Sequence, residues 1–440
     1  GFLLKCSLEY PQKLAGQKRP LPAFILKDRS FMESFFKAQG FKGKMLRQRL
    51  EAVGFTTDGE RSLTGMGFEP PQIDADLAWH IRAWGQWVAA DARRDLARFY
   101  PTYADFEPLV KDQKSYEQQP MRLVPLKDDG TADIDGLNRE FSGDYLAVKK
   151  NPRWIAKQTV AYLWARTVTC KNCRATIPLL KTLWLCKKDN KRVLLVMEPN
   201  RDKSGVAFDI DAKVAVKGGN AAQRRENDKR LGAGTMSRAG AKCPCCPVIM
   251  TMEDIRVEGR AHRLGAIPTA VVVDGPGGQE YRLPTVHEID ASQEAIGRVD
   301  EVMSRVPFGT LTEPTPSGGG RGAGRAFSVQ GYGLMEWRNL FTPRQLLTLG
   351  TLCLQTREAA EPMRSVDTQV AGKRRLVRPL PFQWTVSQIV NLSSAVGTMA
   401  TQSSKAHSLG LPYPSRGTTA KGTRCPPQPE TTCPAWNGLQ

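Results

Sequence analysis

The sequence predicts a mixed α/β chain in which helical segments flank a β-rich middle built around a candidate metal site. Three observations predict it. Leu77, Ile81, Trp84 and Val88 recur at helical spacing. Thr159 to Thr169 is rich in β-branched and aromatic residues, which suit a strand. Two cysteine pairs, Cys170-Lys-Asn-Cys173 and Cys243-Pro-Cys245-Cys246, have the spacing of metal knuckles. A chain of 440 residues, 40% of them hydrophobic, can bury a sizeable core.

Taken in order, residues 1–101 read as a helical domain. Leu3, Leu4 and Leu8 have helical spacing, Pro11 is expected to end that run, and the helix reads as one that has lost its beginning. A helix is expected over Phe31 to Leu50, with Phe31, Phe35, Phe36 and Phe41 as core rather than as a stacking platform for bases. The helix through Leu77 and Val88 should end near Tyr100-Pro101, because proline cannot continue it. His80, beside its apolar stripe, reads as a packed or surface histidine and not a ligand. Residues 102–158 are polar with scattered Gly, Pro and Asp, and are expected to be a long loop or insertion.

Residues 159–312 read as the β-rich region. The strand over Thr159 to Thr169 delivers the chain to Cys170, and Leu179 to Leu185 leaves the first knuckle. Arg192 to Met197 and Gly205 to Ile210 flank the turn residues 199–204, a hairpin signal. Ala221 to Arg238 is basic, carrying Arg224, Arg225, Lys229, Arg230 and Arg238, and reads either as a solvated loop or as a source of phosphate contacts. Ile255 to Leu264 is grouped with the strands, and Ala270 to Val273 is expected to be a buried strand. Residues 313–328 form a Gly/Pro/Arg linker; its run Gly318 to Gly324 is not preceded by an apolar strand, so it is not read as a phosphate loop. Over 329–362 the pattern returns to helix, with Thr342 as cap, Pro343 in the first turn, Gln345 closing a capping box and Phe341 able to staple to Leu346. Residues 363–440 are rich in Ser, Thr, Pro and Gly and are expected to be disordered, or the product of a changed reading frame.

The cysteines carry the chemistry. A tight C-x-x-C turn lets one strand end present two thiolates to one ion, so Cys170, Cys173, Cys243 and Cys246 are the candidate ligands of one tetrahedral Zn²⁺, with Cys245 a spare. The alternatives are unpaired reduced cysteines and two unrelated turns. The insert between the knuckles is longer than ribbon spacings usually are. No cleavable signal opens the chain, which argues against a disulfide framework, and no βαβ setting supports a redox pair. Cys6, Cys186 and Cys353 read as small buried hydrophobes, while Cys425 and Cys433 fall in the tail.

Lys and Arg exceed Asp and Glu by 63 to 44, a formal charge of +19. Such a field favours a polyanion, and DNA or another nucleic acid is the usual partner; a solvated basic surface is the plainer alternative. No apolar run reaches the length of a membrane span, and the expected location is the cytoplasm.

The order of motifs resembles a known family. Leu163-Trp164-Ala165-Arg166-Thr167-Val168 before Cys170 and Cys173, then Ile177-Pro178-Leu179 and Lys187-Lys188, is similar to the centre of the DUF1156 family of adenine-specific DNA methyltransferases containing a zinc ribbon. Ala241-Lys242-Cys243-Pro244 with Cys246, then Arg256, Glu258-Gly259-Arg260-Ala261, Arg263 and Gly265, agree with it. So do Gln330-Gly331-Tyr332-Gly333, Trp337 and Leu340 to Leu347. The likeness covers roughly Leu3 to Ala360. One departure is Pro247, where the family usually has glycine after the second knuckle; without freedom at positive φ a tilted turn is expected there.

The resemblance implies an incomplete Rossmann-like methyltransferase with an inserted β-rich zinc ribbon. The complete family protein would use S-adenosylmethionine, held by a glycine-rich loop before the region seen here. An Asp/Asn-Pro-Pro-Tyr motif after it would bind the extruded adenine. Neither motif occurs in this chain, so no catalytic or cofactor-binding residue is assigned. Plausible codons for Leu380 to Val390 and Gly417 to Thr423, read in a shifted register, resemble the family's continuation. This implication leads to the changed-frame expectation for the tail. A free-standing zinc-ribbon nucleic-acid-binding protein without enzymatic activity is the competing expectation.

Overall fold

Asp28 accepts the Phe31 N–H at 2.9 Å and Asp76 accepts that of Trp79 at 3.2 Å, so each carboxylate satisfies a donor left free at a helix start. These caps open two of the helices in a computed structural model that describes residues 8–56, 71–110, 116–188, 190–216, 218–275, 278–306, 311–315 and 329–363. The fold is a mixture of helices and antiparallel sheets. The linker glycines and the tail beyond 363 lie outside the described residues, as does Cys6.

Helix α1, Tyr10–Leu14, corrects the first expectation: Pro11 sits in its first turn, where a missing N–H costs nothing, and does not end it. The helix expected over Phe31 to Leu50 is two helices, α2 (Arg29–Ala38) and α3 (Gly43–Ala52). They are separated at Gly40, whose φ of +91° a side chain would resist. Phe31, Phe35 and Phe36 are buried against Leu46 and Leu50, with Phe41 partly buried beside them, and Trp79 meets the Phe35 ring edge-on at 5.0 Å. They are core, as expected. Helix α4, Leu77–Leu96, continues as a 3-10 turn to Phe99 just ahead of Pro101. His80 Nε2 lies 3.1 Å from the Arg19 carbonyl, a packing role.

The stretch 102–158 is not a loop throughout. Strands β1 (Arg19–Pro20) and β2 (Asp74–Ala75) pair with each other, and β3 (Tyr103–Pro108) enters a larger sheet with β4 (Arg122–Leu123) on one side. On its other side is β5 (Pro152–Thr169), in register from Tyr103 opposite Lys157 to Pro108 opposite Pro152. Ala104 and Phe106 face a core with Trp154, while Asp105 and Glu107 meet Lys157 Nζ at 2.6 and 3.5 Å. Half of the strand therefore reads as polar because it faces an ion cluster in which Lys157 and Glu107 are largely buried and Asp105 is half-exposed. Two short helices, α5 (Ile134–Leu137) and α6 (Gly143–Ala147), lead back to β5.

Strand β5 organises the middle. Its first half pairs with β3 and its second with β12 (Gly265–Gly275), which continues into β13 (Gly278–Arg282). The expected buried run Ala270 to Val273 lies in β12. Strand β6 is Thr176–Pro178, so the chain leaves the first knuckle earlier than expected. Strands β7 (Trp184–Lys188), β8 (Lys191–Pro199) and β9 (Val206–Asp211) form a three-stranded sheet, and β8 and β9 are the expected hairpin.

Three helices differ from expectation and a fourth agrees with it. Ala221 to Arg238, read as a loop or phosphate-contact segment, is largely helix α7 (Ala221–Leu231). Ile255 to Leu264 belongs mostly to α8 (Met252–Arg260), capped by Thr251 and Asp254. Helix α9 (Val286–Arg305) lies inside the region read as β-rich. The first half of its buried face carries Glu288, Ala291, Ser292 and Ala295, too polar and too small to announce a core face, and only the second half is apolar, with Val299, Val302 and Met303. Helix α10 (Pro343–Glu358) starts as predicted, with Gln345 N–H donating to Thr342 Oγ1 at 3.3 Å and Thr342 N–H to Gln345 Oε1 at 2.9 Å. α4, α9 and α10 share a core of Leu96, Phe99, Val299, Val302, Leu347 and Leu354.

Every strand pairing among the described residues is antiparallel. The parallel sheet of a Rossmann-like domain is therefore not among them. No helix among the described residues is long and apolar enough to cross a membrane.

Candidate metal centre

The two cysteine pairs occupy the tips of two matched hairpins. β5 and β6 pair up to Thr169 opposite Thr176, leaving residues 170–175 as the first loop. Strands β10 (Gly240–Lys242) and β11 (Ile249–Thr251) pair up to Lys242 opposite Ile249, leaving residues 243–248 as the second, of equal length. Each loop closes in the same way, with Cys170 N–H donating to the Ala175 carbonyl at 2.8 Å and Cys243 N–H to that of Val248 at 3.0 Å. Gly240 admits the second hairpin: its φ is +136°, and a Cβ there would lie 1.9 Å from the Met250 carbonyl oxygen.

The hairpins meet face to face. Cys170 Sγ lies 3.7 Å from Cys246 Sγ, Cys173 Sγ lies 3.6 Å from Cys243 Sγ, and all four sulfurs lie within 4.8 Å of one another. The four cysteines can thus hold one metal ion. Cys170 and Cys243 are buried, Cys246 is half-buried, and Cys173 is exposed. Asn172 Nδ2 points to Cys246 Sγ at 3.7 Å, and Lys171 N–H to Met250 Sδ at 3.2 Å, so each loop also touches the other hairpin.

Backbone N–H groups directed at sulfur favour thiolates. The Val248 N–H at Cys246 brings that thiol down to about 6, whereas burial pushes Cys243 up to about 12. Cys245, between them, is not part of the four-sulfur group; its thiol donates to the Gly205 carbonyl at 3.1 Å. Cys186 and Cys353, expected to be buried, are only half-buried.

With Pro247 in it, the second loop still closes by the same backbone bond as the first. The left-handed residue is its counterpart Arg174, which follows Cys173 with φ +64°.

What brings the knuckles together is the return of the insert. Thr235, 5% exposed, donates through Oγ1 to the Pro178 carbonyl and accepts the Leu180 N–H at 3.1 Å. Met236 N–H then donates to Leu180 O at 2.9 Å and Lys242 N–H to Thr235 O at 2.9 Å. The chain entering the second knuckle is stitched to the chain leaving the first. Nothing in the composition of Thr235 marks it for this role; a lone threonine in a basic segment carries no signal.

Comparison with protein-family models, with curated proteins and with solved structures gives no match for the chain.

Proposed function

We propose that this chain is the zinc-bearing, DNA-contacting part of an S-adenosylmethionine-dependent, adenine-specific DNA methyltransferase, and that by itself it binds DNA without methylating it. The observation that carries this reading is the convergence of the stretches that resemble the DUF1156 family. Gly259 and Gly333 stand so close that a Cβ on Gly333 would lie 1.8 Å from the Gly259 carbonyl oxygen. Arg166 Nη2 donates at 2.8 Å to the carbonyl of Asn339, which lies between the Trp337 and Leu340 stretches, and the Arg344 guanidinium lies 6.0 Å from the centre of the Trp164 ring. Stretches far apart in sequence that resemble the family thus lie side by side, which supports reading them together.

Zinc fits the sulfurs. A regular tetrahedron with bonds of about 2.3 Å has edges of about 3.8 Å, against cross-hairpin separations of 3.6 and 3.7 Å. Bound there, zinc would fix the two hairpins as a structural ion; Cys170, Cys173, Cys243 and Cys246 would hold it, and no open position is needed.

Methyl transfer needs the cofactor held beside an extruded base, and the sequence contains no Asp-Pro-Pro-Tyr or Asn-Pro-Pro-Tyr. The antiparallel pairing of every described strand favours the second reading, a zinc-ribbon nucleic-acid-binding protein with no enzymatic activity. Two measurements test the proposal. Purified chain, labelled S-adenosylmethionine and duplex DNA should give bound DNA and no labelled DNA; labelled DNA would overturn the inactivity. Flanking gene sequence should encode the cofactor loop and the Asp/Asn-Pro-Pro-Tyr motif, and their absence in every frame would leave the second reading.

A further inference from the structure

We infer that the outer face of α7 grips the sugar-phosphate backbone of duplex DNA, an inference that rests on the DNA-binding reading above. No residue of this helix is buried; Asn227, Asp228 and Leu231 are half-buried and the rest are exposed. A polar helix of this length has little stability of its own, so something must hold it. One residue does most of this. The Asp228 carboxylate binds Arg192 and, at 3.0 Å, Lys187, while its carbonyl accepts Trp184 Nε1–H at 2.9 Å. Arg192 in turn lies over the Trp184 ring at 4.7 Å. Asn220 and Gln223 close a capping box at the other end.

This lock sorts the charges. Asp228 pairs with Arg192 and Lys187 beneath the helix, and Arg224 is turned back, its Nε donating to the Gly219 carbonyl at 3.0 Å. Arg225, Lys229 and Arg230 are left on the outward side, within about 140° of arc at 3.6 residues per turn. Arg225 and Arg230 form no ion pair among the described residues, and Lys229 has only an exposed contact with Glu226 at 3.7 Å. Along the axis Arg225 and Arg230 are separated by about 7.5 Å, a span over which two long guanidinium side chains can each reach a separate phosphate of one strand. The outward side carries Arg225, Lys229 and Arg230 against the single carboxylate of Glu226, while Gln223 is held in the capping box and Asn227 is half-buried, a net positive edge that fits backbone contact without sequence preference.

The test measures binding of the zinc-loaded full chain to a short mixed-sequence duplex as a function of salt. Replacing Arg225, Lys229 and Arg230 by Ala should lower the log-log salt slope by about 2.7, or about 0.9 for each lost phosphate contact, and weaken binding at about 0.1 M salt by at least tenfold. Arg225→Lys with Arg230→Lys should keep the slope. Zinc content and circular dichroism should not change, since none of these side chains is buried. An unaltered slope in the alanine variant, with the parent still binding, overturns the role of α7 and leaves the DNA reading standing. A parent that does not bind duplex DNA overturns both. A slope that falls for RNA but not for duplex DNA overturns the choice of partner.

Discussion

Cys173 and Cys243 are 70 positions apart in the chain, yet their sulfurs lie 3.6 Å apart. Their loops are equal in length and close with the same backbone bond, so the two hairpins present their thiols as near copies. One ion can then serve both, and its binding should add a second tie to the backbone pairing that already brings them together. Metal analysis of purified chain should find about one zinc per chain. Cys173→Ser should abolish or sharply reduce it. Cys245→Ser should keep the metal and cost no more than about 1 kcal/mol, the worth of one hydrogen bond to the Gly205 carbonyl. Zinc retained in full by Cys173→Ser would refute the four-sulfur site.

The two loops differ where one residue follows the second cysteine. Arg174 holds φ at +64°, a conformation that costs a side-chain-bearing residue about 1 kcal/mol or more. Pro247, its counterpart, does not have positive φ. Arg174→Gly should therefore stabilise the protein by up to about 1 kcal/mol. Pro247→Gly should destabilise it by a similar amount, because the unfolded chain gains freedom. Urea midpoints of the two variants, read side by side, check the contrast; equal shifts would show that the backbone angles do not govern these turns.

Much of the centre was legible because spacing carried it. The C-x-x-C pairs, the hairpin around residues 199–204 and the Thr342-Pro343 helix start all depend on local geometry that a few adjacent residues dictate. Strand β3 and helix α9 were not legible, and for one reason. Glu107 and Glu288 are buried carboxylates, the first met by Lys157 fifty positions on and the second by Arg282 from the preceding strand, with Asp105 half-exposed beside Lys157. A periodicity reading takes such faces for solvent. The meeting of the knuckles was equally hidden, since it is decided by backbone pairing of residues 232–236 with 180–183, onto which residues 240–242 fold back.

Thr235 tests that account of the insert. Thr235→Val keeps the volume and deletes the hydroxyl, leaving Leu180 N–H and the Pro178 carbonyl with poorer partners in a buried place. The expected cost is about 1 to 3 kcal/mol. Zinc release to a competing chelator should also be faster, because the second hairpin loses part of its attachment to the first. Thr235→Ser should restore both properties. Normal zinc release in Thr235→Val would mean that the metal alone aligns the hairpins.

Glu288 supplies the pH dependence. It is 1% exposed, and its carboxylate receives Arg282 Nη1 at 2.7 Å, Arg282 Nη2 at 2.8 Å and the Thr285 N–H at 2.8 Å. Burial alone would push this carboxyl up, but the paired Arg282 bonds and the Thr285 N–H outweigh it, and the group sits below the usual carboxylate range. A carboxyl with a depressed folded pKa stabilises the fold above its unfolded value of about 4.3, and that stability is lost as pH falls through the lower folded value. Urea titrations at descending pH should therefore show a steep acid limb beginning near pH 5. In Glu288→Gln the limb should be shallower, and stability at neutral pH should fall by about 3 to 5 kcal/mol, since Arg282 loses its buried partner. Arg282→Met combined with Glu288→Leu should recover much of the neutral-pH loss, because removing both charges leaves neither unpaired. An acid limb as steep in Glu288→Gln as in the parent would place the titrating group elsewhere.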